Sequence, residues 1–587
     1  MKSQGWILPT NHELLLEAPS YISMISEILF SCWGAVTAND PKENEDGSST
    51  PHTTATAPTP SFRANAIISN PVTYGHVHCA EALGVPIHLM FPQPWVPTKA
   101  FPHPLSFLNP GDGWSIQNYL SYHMIDRVLW ISMEQEVNRF RRDVLGLQPI
   151  WMALNQGGHN FVDICKVPFV KMWSPYLVPK PKDWGEHIDV VGSLFDVEEE
   201  NNAAASDSGI DIREIVRDAS GFSPSPELVH FLEGRPAISH SGLLEKEFVL
   251  RGKPIFLGFG SMVVNESQVH KLVHMVLRSA ALAGVRILVQ SGWGNVISHE
   301  KFYEYAKEAS EYARVASDSG IYDDNIFPDL FGNISSNEPN SRSSSPIWAS
   351  LFGGSLPVNK AQFELPGGWS AESDAFLLGP CPHSWLFPRV LAVVHHGGAG
   401  TTAAGLRASK PTMICPFFGD QHFWGHRIHA AGLGPKPCPA VRLTETLLAE
   451  SFALLTQQEF QEAARVMGLQ LKEEDGVSNT VEAFYRNLPF CSMICEVSLF
   501  LGEIRLADVY CEQCELNMNA EVCEKIHWGG RDNLNCSSNN NNNNNNNSDD
   551  ESSLFDNPFL NRYNQTVYIY FHSIFLFKIS IIIVITT

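Results

Sequence analysis

At 587 residues the chain is too long for one compact domain, and two folded lobes with tails fit it better. A hydrophobic content of 44% is enough for sizeable cores, while a formal charge of −23 repels phosphate backbones, so nucleic acid is not an expected partner. Twelve cysteines scattered along the chain point to a reducing compartment rather than a disulfide framework.

The opening residues, MKSQGWILPTNHELLLEAPS, lack a basic region followed by an apolar run. No secretory signal is expected, and the protein is placed in the cytosol or peripherally on the cytosolic face of a membrane. Residues 39–60 are polar and rich in Pro and Thr, as in a surface loop or disordered stretch. A block of strand–helix alternation follows within residues 1–200. Ala66–Ser69 reads as a short strand ended by Asn70-Pro71, HVHCAEALG as a helix stopped by Gly84, and Val85–Met90 as the next strand. A long helix is expected from Asn118 to Leu145. Residues 201–249 read as a linker.

The second block, 250–490, is clearer. Pro254–Phe259 is a buried strand with a tight turn at Gly260-Ser261, Gln268–Ala283 an amphipathic helix and Arg286–Val289 a strand. After a Ser-, Asn- and Asp-rich insertion at 315–347 come strands at Ala375–Leu378 and Leu391–Val394. Such alternation implies a parallel sheet with helices on both faces, whose ligands sit at the carboxyl ends of the strands. Residues 491–536 form a Cys-containing extension. Cys511 and Cys514, with Cys495, Cys523 and His527 nearby, are free thiols or zinc ligands; the spacing of a second pair favours thiols. In the tail, 537–587, the run Asn539 to Asn547 cannot bury a core and is expected to be disordered. Val567–Thr587 is nearly long enough to span a bilayer, although Lys578 interrupts it; an anchor and translated non-coding sequence are equally good readings.

The segment that carries chemistry is Leu391 to Leu433, LAVVHHGGAGTTAAGLRASKPTMICPFFGDQHFWGHRIHAAGL. His395 and His396 stand at the carboxyl end of a buried strand. Gly397, Gly398 and Gly400 let backbone N–H groups approach a ligand. Thr401 and Thr402 open a helix whose first turn offers free donors and partial positive charge to a diphosphate. A second strand leads to Asp420 and Gln421, whose carboxylate and amide suit sugar hydroxyls. A Gly-rich turn alone is commonplace, and two adjacent histidines are as often satisfied turn residues as ligands. The ordered set of strand, His-Gly-Gly, helix, strand and Asp-Gln is not commonplace.

This segment resembles the donor-site signature of UDP-glycosyltransferases of glycosyltransferase family 28, and is similar to that of the sterol 3-beta-glucosyltransferases over CPHSWLFPRVLAVVHHGGAGTTAAGLRASKPTMICPFFGDQHFWG. The blocks ANAIISNPVTYGHVHCAEALGVPIHLMFPQPWVPTKAFPHPL, NYLSYHMIDRVLW and RGKPIFLGFGSMVV resemble the same family. The resemblance implies a GT-B fold: two Rossmann-like α/β lobes, with parallel sheets facing a cleft. UDP-glucose would bind the C-terminal lobe and a sterol, or another lipid or polyketide, the N-terminal one. Gly260 and Ser261 would line the diphosphate, Ser384, Trp385 and Leu386 would border uracil and ribose, and His396, Gly397, Gly398, Gly400, Thr401 and Thr402 would form the cradle. Pro380 stands where plant small-molecule enzymes carry a uracil-stacking Trp. Asp420 and Gln421 would read the glucose. Tyr74, His76, His78, Trp95 and Phe101 would line the acceptor pocket. The implied reaction is inverting displacement at the anomeric carbon without metal or other cofactor. The family's Gly-Ser-Arg-Gly-Asp loop, source of its base, is not found. The expectation is therefore a chain starting inside the first lobe, with an unpaired sheet edge and either His76 or His78 as substitute base, or a UDP-sugar-binding pseudoenzyme.

Overall fold

The structure is a computed structural model. It describes residues 11–37, 64–106, 108, 110, 114–150, 165–195, 222–234, 252–260, 266–290, 297–319 and 369–489, short pieces between 493 and 527, and 567–574 and 577–585. Ser261, Cys514, the Asn run and nearly all of the 39–60 and 315–347 segments lie outside the described residues.

Two sheets organise the chain, as the GT-B expectation requires. In the first, β1 (Ala66–Ser69), β2 (Ile87–Phe91), β3 (Phe169–Lys171) and β4 (Ile188–Val190) are parallel neighbours in that order. Helices α1 (Asn11–Thr37), α2 (His76–Leu83) and α3 (Ser115–Asp143) meet in a core of Leu29, Cys32, Ile67, Cys79, Trp130 and Phe140. Gly84 closes α2 at φ +67°, the left-handed cap its sequence calls for. The expected unpaired edge is not there: an antiparallel hairpin of Val567–Ile574 and Phe577–Ile585 pairs with β1, Ile67 opposite Val584. Within Val567–Thr587, read from sequence as an anchor or translated non-coding sequence, two strands thus join the first sheet. The β-branched run Ile581–Ile585 suits a strand, and no helix among the described residues is long and apolar enough to cross a membrane.

The second sheet contains β5 (Ile255–Gly258), β6 (Ile287–Gln290), β7 (Ala375–Leu378), β8 (Ala392–His395) and β9 (Thr412–Ile414). All are parallel, in the order β7-β6-β5-β8-β9. Their side chains are buried on both faces, which is why they read as unbroken apolar runs. Part of the expected linker belongs to this lobe: α4 (Pro226–Leu232), capped by Ser225, buries Phe231 and Leu232 beside Phe256 and Val393. Arg286 fastens it, donating to the Phe231 carbonyl at 2.6 Å beside buried Asp374. The boundary at 490 also needs correction in space. Helix Gly476–Arg486 crosses back to the first sheet, where Asn479 donates to the Val191 carbonyl (2.9 Å) and Arg486 pairs with Asp189 (2.6 Å).

Candidate functional site

In the second sheet β5 and β8 are adjacent, and the chain winds outward from them in opposite directions. Their carboxyl ends form the topological switch point at which open parallel sheets bind ligands. Gly258 pairs there with His395. The two histidines diverge. His395 is buried, and its Nδ1 accepts the Gly397 N–H at 2.9 Å, which leaves the ring proton on Nε2. It shapes the turn. His396 is half-buried, and its ring lies between two glycines: an added Cβ would come 3.0 Å from its Cε1 at Gly260 and 2.8 Å from its Nε2 at Gly398. Burial, reinforced by His383, lowers the His396 pKa to about 4, so the imidazole is neutral at physiological pH.

The helix after this turn, Ala399–Arg407, begins two residues earlier than expected, with Gly398 as an extended N-cap and no side-chain cap. Its first backbone bond runs from Thr402 N to Gly398 O, so the N–H groups of Ala399, Gly400 and Thr401 have no partner within the helix. Gly400 is exposed, and a Cβ there would meet nothing within 4 Å. Thr402 is a correction: it is buried, with its hydroxyl tied to the Gly398 carbonyl at 2.9 Å. It holds the turn from behind and offers no donor to a ligand.

Asp420 and Gln421 begin helix Gln421–Ala430. Gln421 Oε1 accepts the N–H groups of Phe417 (2.7 Å) and Phe418 (3.2 Å), and its Cα lies 3.1 Å from where a Gly397 Cβ would stand. The amide thus locks the β9 loop against the His-Gly-Gly turn. Asp420 is buried, with Oδ2 accepting the Trp424 indole N–H at 2.9 Å; burial raises its pKa to about 6.

Trp385 and Leu386 do not join the site. The short helix His383–Leu386 turns both into the core with Phe256, Phe387 and Val393, leaving half-buried Ser384 at the surface. His383 was missed by sequence reading. It stacks on Phe387 at 4.4 Å, and it adds to the burial that holds both His395 and His396 below the ordinary histidine pKa. The signal was the polar residue directly after Cys381-Pro382, at the carboxyl end of β7.

On the acceptor side, His76 and half-buried Tyr74 follow β1, Tyr74 with φ +59° and with burial raising its pKa to about 12. His76 is buried and its Nδ1 has no partner among the described residues. His78 lies 2.9 Å from Arg141, which also grips Glu81 at 2.6 Å. A guanidinium only donates, so His78 Nδ1 accepts, Nε2 carries the proton, and no lone pair remains to act as a base. Phe101 is a further correction. It is buried against Trp184 and, at 4.9 Å, against Phe423 of the other lobe, an interlobe contact and not a pocket wall. Trp95 is half-buried, edge-on to His103 at 4.5 Å. His103 and Tyr122 also escaped sequence reading; both are buried, with His103 Nε2 and Tyr122 Oη unpartnered among the described residues.

No protein-family model matches the chain. It is similar to a sterol 3-beta-glucosyltransferase of Arabidopsis thaliana, 34% identical over 430 residues, which are 73% of this chain and 49% of the plant protein. It is also similar to a sterol 3-beta-glucosyltransferase of Cryptococcus neoformans, 30% identical over 432 residues, 73% of this chain and 21% of the fungal protein. The chain thus spans about half the length of the plant relatives it matches. Among solved structures, the glycotransferase of kitacinnamycin covers 82% of this chain at 11% identity, with 86% of its own length covered and a TM-score of 0.42.

Proposed function

From this chain's kinship with the sterol 3-beta-glucosyltransferases, we propose that it transfers glucose from UDP-glucose to the 3-hydroxyl of a membrane sterol, working peripherally at the membrane surface. The observation that carries this reading is the cradle at the switch point, where Gly260 and Gly398 flank His396 and the N–H groups of Ala399, Gly400 and Thr401 have no partner within their helix. A helix N-terminus and a neutral N–H donor suit a diphosphate and stabilise the charge it gathers on leaving, so no metal is needed for that step. The sterol oxygen attacks the anomeric carbon as the bond to the diphosphate breaks, with inversion, and a base takes the hydroxyl proton. Of the two histidines considered as that base, only His76 remains; burial keeps it neutral at pH 7, with a pKa of about 3.

Whole protein incubated with radiolabelled UDP-glucose and cholesterol or ergosterol in EDTA is expected to yield a steryl beta-glucoside. Complete dependence on Mg²⁺ or Mn²⁺ would overturn the metal-free reading, and donor binding without product would mark a UDP-sugar-binding protein instead. His396 makes a second expectation. The free ring has a pKa of about 4, and an arriving diphosphate raises it. Between the two values binding takes up a proton, so affinity for UDP-glucose rises as pH falls. Calorimetry in buffers of different ionisation enthalpy measures that uptake, and it should vanish in His396→Ala. Uptake persisting in the variant would place the proton elsewhere.

A further inference from the structure

Over its first half α3 is patterned inside out. Asn118, Ser121 and Tyr122 face into the protein. On the other side Trp114, just before the helix, and Ile116, Leu120, Met124, Val128 and Ile131 are 53–82% exposed. The five helical positions follow steps of four, four, four and three, so they share one face. Farther along, Trp130, Met133, Val137 and Phe140 face the core in the ordinary way. The stripe is also selectively uncharged. Between Trp114 and Ile131 the only charged residues are Asp126 and Arg127, and helical geometry puts Arg127 on the stripe and Asp126 off it. In a chain of net charge −23, this stretch of α3 thus carries a single cation and no carboxylate on the stripe, before half-buried Glu134 one turn beyond Ile131.

We infer that this face of α3 docks on a lipid bilayer, with Ile116, Leu120, Met124, Val128 and Ile131 sunk shallowly and Trp114 at the headgroups. Polar-in, apolar-out patterning is what a lipid solvent rewards, and a terminal Trp with one exposed cation suits the interface. The docked face belongs to the helix that holds the acceptor-side loop. Ser121 Oγ accepts the His103 N–H (2.8 Å) and Asn118 Nδ2 donates to the Lys99 carbonyl (3.1 Å), so the opposite side of the same helix holds the loop that bears Trp95. This deepens the proposed function, on which it rests for its purpose, since a sterol would then be taken from the bilayer on which this helix sits. Docking itself needs only lipid. With so much negative charge elsewhere the attachment relies on apolar burial, so neutral lipid suffices and salt does not release the protein.

The test is flotation of the whole protein with sterol-free phosphatidylcholine vesicles, at low and high salt, comparing wild type with Leu120→Glu/Met124→Glu. Both residues are exposed, so unfolding midpoint and UDP-glucose binding should match wild type. The wild type should float at both salt levels, and the variant's bound fraction should fall at least roughly tenfold, because each apolar side chain withdrawn from lipid is worth about that factor. A wild type that stays soluble, or a variant that floats equally well, overturns the inference. So does a wild-type dimer that becomes monomeric in the variant without flotation, since a second copy would then cover the stripe. Failure of both proteins to glucosylate detergent-dispersed sterol would strike the proposed function and leave the docking result standing.

Discussion

Gly397→Ala is expected to lower both fold stability and UDP affinity, whereas Gly400→Ala lowers affinity alone. Gly397 has φ +99°, and an added Cβ would stand 2.7 Å from Ile414 Cγ2 and 3.1 Å from the Cα of Gln421. The isoleucine methyl can move, but the Gln421 backbone begins a packed helix and cannot. Strain at such a φ costs about 1–3 kcal/mol, and overpacking costs a similar amount. Displacing Gln421 also frees the loop that its Oε1 holds at Phe417 and Phe418. Gly400 is the opposite case. It lies in the first turn of its helix with nothing within 4 Å of a Cβ, so alanine there should stabilise the helix by about 0.5–1 kcal/mol. No atom within 4 Å of a Cβ at 400 requires glycine there; on the proposed reading, a diphosphate approaching the backbone does. Losing a charge-assisted backbone contact is worth roughly 1.5–3 kcal/mol, or about 10–100-fold in affinity. Thermal unfolding and UDP titration of both variants check this. A Gly400→Ala protein that binds UDP like wild type would show that no phosphate approaches there.

Legibility from sequence followed how local each feature is. The switch point was readable because β8 is an unbroken apolar run and its turn is dense in glycine, both short-range signals. The start of the next helix was misplaced because Gly398 caps it through backbone alone, while Thr402, a residue type that favours caps, is turned back onto the Gly398 carbonyl. Trp385 and Leu386 are assigned to the nucleotide only by the resemblance, and a matching motif does not say which way a side chain points; four residues of helix swing them into the core. The acceptor side was least legible. Phe101 finds its partner in Phe423, more than three hundred positions away and in the other lobe, and no periodicity encodes that contact. Strands β3 and β4 are three residues each, too short to leave an alternation pattern.

Asp420→Asn is expected to stabilise the protein at neutral pH while removing its preference for UDP-glucose over UDP. Buried Asp420 has its pKa raised from 3.8 to about 6, chiefly by desolvation, with the Trp424 bond acting in the opposite direction. Between those two values the folded protein holds a proton that the unfolded chain has released. Stability therefore falls as pH rises from about 4 through 6, and above that the full cost of keeping the ion buried is present, on the order of 2–3 kcal/mol. Asparagine removes the ion and can still accept the Trp424 indole N–H, now bonded at 2.9 Å. Alanine would be a poorer probe, because it leaves that buried donor without a partner, at a cost of about 1–3 kcal/mol, and Trp424 packs at 5.8 Å against Trp173 of the other lobe. The gain in unfolding midpoint for Asp420→Asn should be largest near pH 8 and gone near pH 4. Its effect on ligands runs the other way. On the proposed reading the carboxylate meets sugar hydroxyls and not the diphosphate, so UDP affinity should hold while UDP-glucose affinity drops about 10–100-fold, the equivalent of one charge-assisted hydrogen bond. Equal losses for the two ligands would move Asp420 off the sugar. An unchanged midpoint at pH 8 would mean that the carboxylate is not held against its desolvation cost, and the raised pKa would have to be abandoned with it.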